Sequence, residues 1–529
     1  MAEGGLEAPR AALAAMRRAR RRTRVANIDA FEAFYRIYLF GLALGVSSYF
    51  AAAVGGLVPA TGADLAVLSR YGPAVVGLVV SVAVSVGVLS GARGGPLALE
   101  AAEIHHVLAA PISRRLTLGI HARSALRRSF YFGAVGGGLC GMVALRRLPG
   151  SPGVWLAVAA LASALAAVAS SGAAMVVAGW GIRPSLASLL AVVVVGWSAV
   201  DSWLGIITSP SSLLGAMALW PVRHPPLVVV LLGPVAAVVL ALSGLAAVGG
   251  TDIEALALRS SLVGALRYAA AARDVRSVAL LRRQLNFERP RSSPYFHRRP
   301  GGGAAAAVLG RDIAGALRWP LRRLVRMGAL GAAVVACLLA AWRISLPIGV
   351  LAAVFLWLIS LEASEGLGQE IDHPSLTALV PRPSGWLYLR HLVVPFALVA
   401  AVLCVAVAMA AALSGSQEVA MIGGVALLPA VACGLSAAAV SIVRPQGADV
   451  RLLGMSEVAG AYVLVRELLP LGIAFLGVLP VLMGANAAHS GAFGLDSEIY
   501  GASVVLLAPA ATVGWLQANG RVQGEMEDA

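Results

Sequence analysis

The chain contains no lysine: all 41 of its basic residues are arginine. A Walker A phosphate loop needs its lysine to reach the nucleotide phosphates. An ordinary ATP site is therefore excluded from this chain, and ATP and Mg are expected only on a partner subunit. Charge of any sign is scarce: 13% of residues are charged and 59% hydrophobic, whereas soluble domains carry about 25% charged residues. A soluble globule is excluded, and the bilayer must be the solvent. The four cysteines, Cys140, Cys337, Cys404 and Cys433, fall in apolar runs without paired spacing. They read as small hydrophobes, implying neither a disulfide framework nor a metal site. Ionisable residues are almost missing from the interiors of the apolar runs. They cost about 2.5 to 3.5 kcal/mol at mid-helix and mark ion pathways, so their scarcity argues for energy supplied from outside the membrane. Asp201, late in the fifth run, is placed near the outer interface.

What is present is a series of about twelve apolar segments, each long enough to cross a hydrocarbon core about 30 Å thick. They lie near 34–58, 72–90, 129–146, 153–180, 185–206, 226–248, 327–342, 346–362, 391–414, 418–443, 467–484 and 500–517. Their length and lack of period-two alternation predict helices, not barrel strands. The fold class is an all-α polytopic membrane protein with parallel repeats. A net charge of +15 would suit nucleic acid, but a GC-rich genome that replaces lysine with arginine explains the bias, and nucleic acid is not expected as a partner. The arginines instead set the topology. With both termini cytoplasmic, only Arg70, Arg146, Arg147, Arg223 and Arg343 fall in external loops, as the positive-inside rule requires. The arginine-rich N-terminus, from Arg10 to Arg24, reads as an uncleaved signal anchor with possible contacts to anionic lipid. The expected location is the cytoplasmic membrane.

The chain says much the same thing twice. Leu99-Glu100-Ala101-Ala102-Glu103 follows the second span of the first half, and Leu361-Glu362-Ala363-Ser364-Glu365 follows the second span of the other. Each phrase leads to a proline, Pro111 or Pro381, and then to a basic helix. Glu100 and Glu103, like Glu362 and Glu365, are three residues apart and are expected on one helical face, to pair with an arginine of the following loop or to meet a partner protein. The halves, 1–248 and 305–529, keep the same orientation because each has an even number of spans. Between them, 249–304 opens with the capping-box pattern Thr251-Asp252-Ile253-Glu254. A helix or helical pair should follow over 252–285, on lipid or against a partner, before a Pro, Arg and Gly linker from Asn286 to Gly303. Arg311-Asp312 then opens a basic segment that leads into the seventh span.

The segment His106-Val107-Leu108-Ala109-Ala110-Pro111-Ile112-Ser113-Arg114-Arg115 resembles the Leu-x-x-(Ala/Ser)-Pro-(Ile/Val)-Ser-Arg-Arg loop of bacterial ABC-2-type exporter permeases. The resemblance implies two fused half-transporters without enzymatic activity of their own, working with a separate ABC ATPase subunit in two copies. It implies an interfacial helix and six spans per half, and a coupling helix between spans two and three that docks on the ATPase. The coupling residues it marks are Glu100, Glu103, Pro111, Ser113, Arg114 and Arg115, with Glu362, Glu365, Pro381 and Arg382 in the second half. There Leu379-Val380-Pro381-Arg382-Pro383-Ser384 keeps the proline and an arginine but loses Ser-Arg-Arg, which allows one degenerate contact. The resemblance also implies short re-entrant helices between the fifth and sixth spans of each half, at 206–225 and 485–501.

The alternative is a twelve-span secondary carrier of the major-facilitator kind. Its Gly-x-x-x-Asp-Arg-x-Gly-Arg-Arg signature would fall at Gly87 to Pro96, where the acid and most of the arginines are missing. A membrane enzyme would need clustered ligands, and His105-His106 beside Glu103 is the sole candidate. Adjacent histidines point to different helix faces and do not easily share one metal.

Overall fold

A computed structural model describes residues 30–55, 59–100, 103–108, 113–271, 291–296, 302–343, 346–373, 382–443, 456–489 and 494–527, with a few isolated positions. Among the described residues the chain is helical, without strands. It divides into two compact units, Met1–Ala265 and Leu266–Ala529. Nine described helices are long and apolar enough to cross a membrane, or ten if one bent pair counts as a single span. This is an all-α polytopic membrane protein.

In the first unit the long helices are α1 (Ala30–Gly55), α2 (Gly62–Gly91), α3 (Arg114–Arg147), α4 (Pro152–Gly179) and α5 (Pro184–Leu204). Two short helices, α6 (Pro210–Ala218) and α7 (Trp220–Arg223), precede α8 (Leu227–Ala247). The expected apolar segments all fall on helices, but α1 and α3 are not among the nine. The first half of α3 carries Arg114, Arg115, Arg123, Arg127 and Arg128, which an apolar span would not bear. Capping residues set several starts. Ser151 accepts from the Val154 amide at 3.4 Å ahead of Pro152 at the first position of α4, the arrangement that satisfies an orphan N–H without wasting one.

Without a hydrophobic drive between helices in lipid, close packing decides their contacts. On α3, Gly133, Gly137 and Gly141 recur every four residues and form a flat seam against α4. A Cβ at Gly133 would stand 2.6 Å from the Ser163 carbonyl oxygen, and one at Gly141 2.9 Å from that of Trp155.

Helix α9 (Ile253–Ala271) follows. Its start differs in detail from the expected capping box: Asp252 accepts from the amides of Glu254 and Ala255 at 3.3 and 3.4 Å, while the Thr251 hydroxyl donates backwards to the Val248 carbonyl at 2.9 Å. Asp252 wins because Thr251 is already used to close the preceding 3-10 turn. The helix is neither wholly on lipid nor free for a partner. Leu256 is fully buried among Leu97, Leu99 and Leu118, Ser260 Oγ accepts from the Leu99 amide at 3.1 Å, and Arg259 donates to Ser90 Oγ at 3.1 Å.

The second unit opens with α10 (Ala304–Ala316), an amphipathic helix with no buried residue, and breaks at Trp319-Pro320 before α11 (Leu321–Arg343). There follow α12 (Gly349–Ala363) and α13 (Glu365–Asp372), bent by 60° to each other at Ser364. Helices α14 (Ser384–His391) and α15 (Val393–Ser414) together form one span, and α16 (Gln417–Val443) and α17 (Ser456–His489) cross next. The chain closes with α18 (Leu495–Val505) and α19 (Leu507–Glu527).

Candidate functional site

The connection between α2 and α3 is where the sequence places a coupling loop. Glu100 lies exposed outside any helix, and its carbonyl accepts from the amides of Glu103 and Ile104 at 2.9 and 3.2 Å. A π-helical turn, Ile104–Leu108, comes next. The two carboxylates therefore do not share one helical face as expected, because the chain is still turning when it passes Glu100. Glu103 is buried and its Oε1 lies 2.7 Å from His121 Nε2 on α3. That bond also takes Glu103 away from His105-His106, and among the described residues no group of three His, Cys, Asp or Glu could hold a metal ion. Pro111 lies outside the described residues.

Ser113, Arg114 and Arg115 form the exposed first turn of α3. Ser113 makes no side-chain cap. Cations at a helix N-terminus face the positive end of the macrodipole, at a cost of some tenths of a kcal/mol to about 1 kcal/mol. Local folding therefore gives no reason for Arg114 and Arg115 to be here. Gly249 packs closely on this turn: a Cβ there would stand 3.2 Å from the Arg115 Cβ and 3.5 Å from its Cα. Nearby, burial draws the Arg259 guanidinium below its ordinary value, and the charge of Arg93 adds to that.

The second unit treats its acidic phrase differently. Glu362 lies in the last turn of α12 and Glu365 opens α13 on the far side of the Ser364 bend, so these two also straddle a break. Both nonetheless converge on Arg323 at the start of α11. Arg323 Nε lies 3.3 Å from Glu362 Oε1, its Nη1 donates to Glu365, and its Nη2 donates to the Glu362 carbonyl at 2.5 Å. Arg326 donates to the same Glu362 carboxylate. The Arg323 guanidinium, 4% exposed, also stacks 3.7 Å above the Trp319 ring. Among the described residues, these arginine partners come from the helix before the phrase. Arg382 is exposed, its Cζ 5.8 Å from the Trp386 ring, and Pro381 lies outside the described residues.

Compared with protein-family models, curated proteins and solved structures, the chain matches none. Its functional chemistry has to be read from its own residues.

Two further constellations were not legible as sites. Asp201, near the end of α5, is fully buried. Its carboxylate accepts from the Thr208 amide at 3.1 Å, Thr208 Oγ1 at 2.5 Å, the Ser209 amide at 2.8 Å and Ser212 Oγ at 2.6 Å. Ser198, Ser209 and Ser211 extend this hydroxyl cluster, with Ser198 and Ser211 oxygens 2.6 Å apart. The cage ties the start of α6 to α5. Helix α6 then packs into the bundle: a Cβ on Gly77 would meet the Ser212 Cα at 2.5 Å, and one on Gly215 would run into the Pro73 carbonyl. The signal was Ser209-Pro210-Ser211-Ser212, an N-cap followed by proline, just beyond the α5 terminator Gly205.

The other constellation joins α10, α13 and α14. His391 is fully buried, with Nδ1 2.7 Å from Asp312 Oδ2 and Nε2 2.9 Å from Arg311 Nη2. Arg311 Nη2 also donates to Glu370 at 2.6 Å. No run of neighbouring residues announces this cluster, because its members come from helices separated by tens of residues.

Proposed function

We propose that this chain is the membrane permease of an ABC-2-type exporter, two half-transporters fused in one polypeptide. It moves its substrate across the cytoplasmic membrane using ATP hydrolysed by a separate nucleotide-binding subunit bound in two copies, and both termini face the cytoplasm. The observation that carries the reading is the exposed Arg114–Arg115 pair beyond the π-helical turn. It is a cationic corner outside the apolar spans, placed against the helix dipole, and it suits reversible docking on an acidic groove of a partner. Helix α6 lies within 206–225, where the exporter resemblance expects a re-entrant segment, whereas α18 runs on with α19 as one helix of membrane length.

A second reading, a secondary active transporter with about twelve spans, has its own observation in the buried carboxylates Asp201 and Glu498. Asp201 is saturated by donors of its own unit, which suits an anchoring role better than ion transport.

The deciding experiment is affinity purification of the tagged full chain in mild detergent, with mass spectrometry of what co-purifies. The exporter reading expects a stoichiometric P-loop ATPase that is lost when Arg114 and Arg115 are both changed to glutamate. Recovery of the chain alone, with transport insensitive to ATP depletion but abolished by a protonophore, would establish the carrier instead.

A further inference from the structure

The second unit holds a cavity of about 260 Å³ beside the Ser364 bend, between α10, the start of α11 and the first turn of α15. Its walls are of two kinds. Arg311, Arg318 and Gln369 line one side, and Val394, Pro395 and Leu398 line another, with Trp319 between them. Three arginines, counting Arg323, face two carboxylates, Asp312 and Glu365. Both carboxylates are engaged: Asp312 with His391 at 2.7 Å, and Glu365 with Arg323. Arg311 commits only its Nη2, to Glu370 and His391, and remains half exposed. Arg318 is exposed, and its guanidinium has no hydrogen-bond partner among the described residues. The lining therefore keeps one guanidinium without an acidic partner among the described residues, that of Arg318, beside the half-exposed edge of Arg311, whose charge is met by Glu370.

The depth of the cavity fits one ligand chemistry. It sits where the span Leu321–Trp342 begins and where the bent span reaches its break, with Val394, Pro395 and Leu398 of the span Ser384–Ala412 against it. An amphipathic helix, α10, forms part of its rim. Arginines near the ends of spans reach the interface, at the level of lipid headgroups. Arginine forks bind phosphate oxygens in a bidentate manner, and the volume admits a phosphate with a glycerol-sized neighbour while the apolar wall faces the acyl side.

We propose that this cavity binds a phosphate group, carried by a glycerophospholipid headgroup or supplied as free phosphate, with Arg318 and the open edge of Arg311 as its ligands. The site is independent of any transport mechanism.

The test uses the full chain in detergent, with Arg318→Glu and the milder Arg318→Gln. Arg183→Glu serves as the control, since Arg183 is exposed and does not line the cavity. Native mass spectrometry during a phosphatidylglycerol titration reads bound lipid, and thermal melting with inorganic phosphate reads the free anion. A lipid ligand predicts one adduct in the wild type and in R183E whose half-saturation rises about tenfold in R318E, the equivalent of about 1.4 kcal/mol. A soluble ligand predicts unchanged lipid adducts, with a phosphate-dependent rise in melting temperature that R318E and R318Q lose. Identical behaviour of wild type and R318E in both arms overturns the site. So does an equal loss in R183E, which would mean diffuse surface attraction.

Discussion

His391 Nδ1 lies 2.7 Å from Asp312 Oδ2, in a side chain with no exposure to solvent. Because Arg311 Nη2 can only donate, and stands 2.9 Å from Nε2, the network is satisfied by the tautomer that carries its proton on Nδ1. Asp312 accepts that proton's hydrogen bond, and the pair pins the amphipathic helix α10 to the start of a membrane span.

Asp312→Asn keeps an acceptor for the His391 N–H, whereas Asp312→Ala leaves it bare and buried. An unsatisfied buried donor costs about 1 to 3 kcal/mol. The alanine variant should therefore melt clearly below the asparagine variant in detergent, as followed by size-exclusion recovery after heating. Equal midpoints would falsify the pinning role.

Asp201 should be the more sensitive end of its cage. Asp201→Ala strands two backbone amides and two hydroxyls, while Ser212→Ala removes one of the four donors. The expected losses are several kcal/mol for the first and about 1 kcal/mol for the second. Trp197 donates to Thr208 Oγ1 at 2.8 Å, so a shifted tryptophan emission in Asp201→Ala but not in Ser212→Ala would report release of the 208–212 segment.

Single methyl groups test the seating of α6. Gly215→Ala and Gly77→Ala each drive a Cβ into backbone of the neighbouring helix, whereas Gly136→Ala meets nothing within 4 Å. The first two should lower the melting temperature, in line with the 1 to 3 kcal/mol typical of overpacking. Gly136→Ala should match or exceed the wild type, because alanine favours helix by about 1 kcal/mol.

Arg259 offers a change in the opposite direction. Its charge is disfavoured by burial and by Arg93, yet it gives one hydrogen bond to Ser90. Arg259→Gln removes the buried charge and keeps a donor, so stability should hold or rise, and Arg259→Glu, which sets an opposite charge beside Arg93, should not fall below the wild type. A thermal scan in which Gln and Glu fall together would show that the arginine itself is required.

Arg323 is the common partner of Glu362 and Glu365 and also stacks on Trp319. Arg323→Lys retains the charge but loses the planar fork. It should recover little of the stability lost in Arg323→Met, which takes the buried guanidinium from Glu365 while Glu362 keeps Arg326, at a cost toward the lower end of about 3 to 5 kcal/mol. Full recovery by lysine would mean that charge alone is at stake.

The sequence by itself determined the class of protein. Apolar runs of membrane length, separated by short arginine-bearing connections, can satisfy their backbone in lipid only as helices, and every expected segment with described residues is helical. It also singled out the Glu-Ala-x-Glu phrases, because their repetition is visible without a fold. It did not show what those carboxylates touch. Glu103 meets His121 across a turn, Glu362 and Glu365 meet Arg323 about forty residues earlier in the chain, and Asp201 meets hydroxyls beyond a left-handed Gly205. Periodicity predicts which face of a helix is apolar, since that follows from residues three and four apart. The partner of a buried charge is chosen by whichever distant donors close packing brings within 3 Å, so only the tertiary structure could decide it.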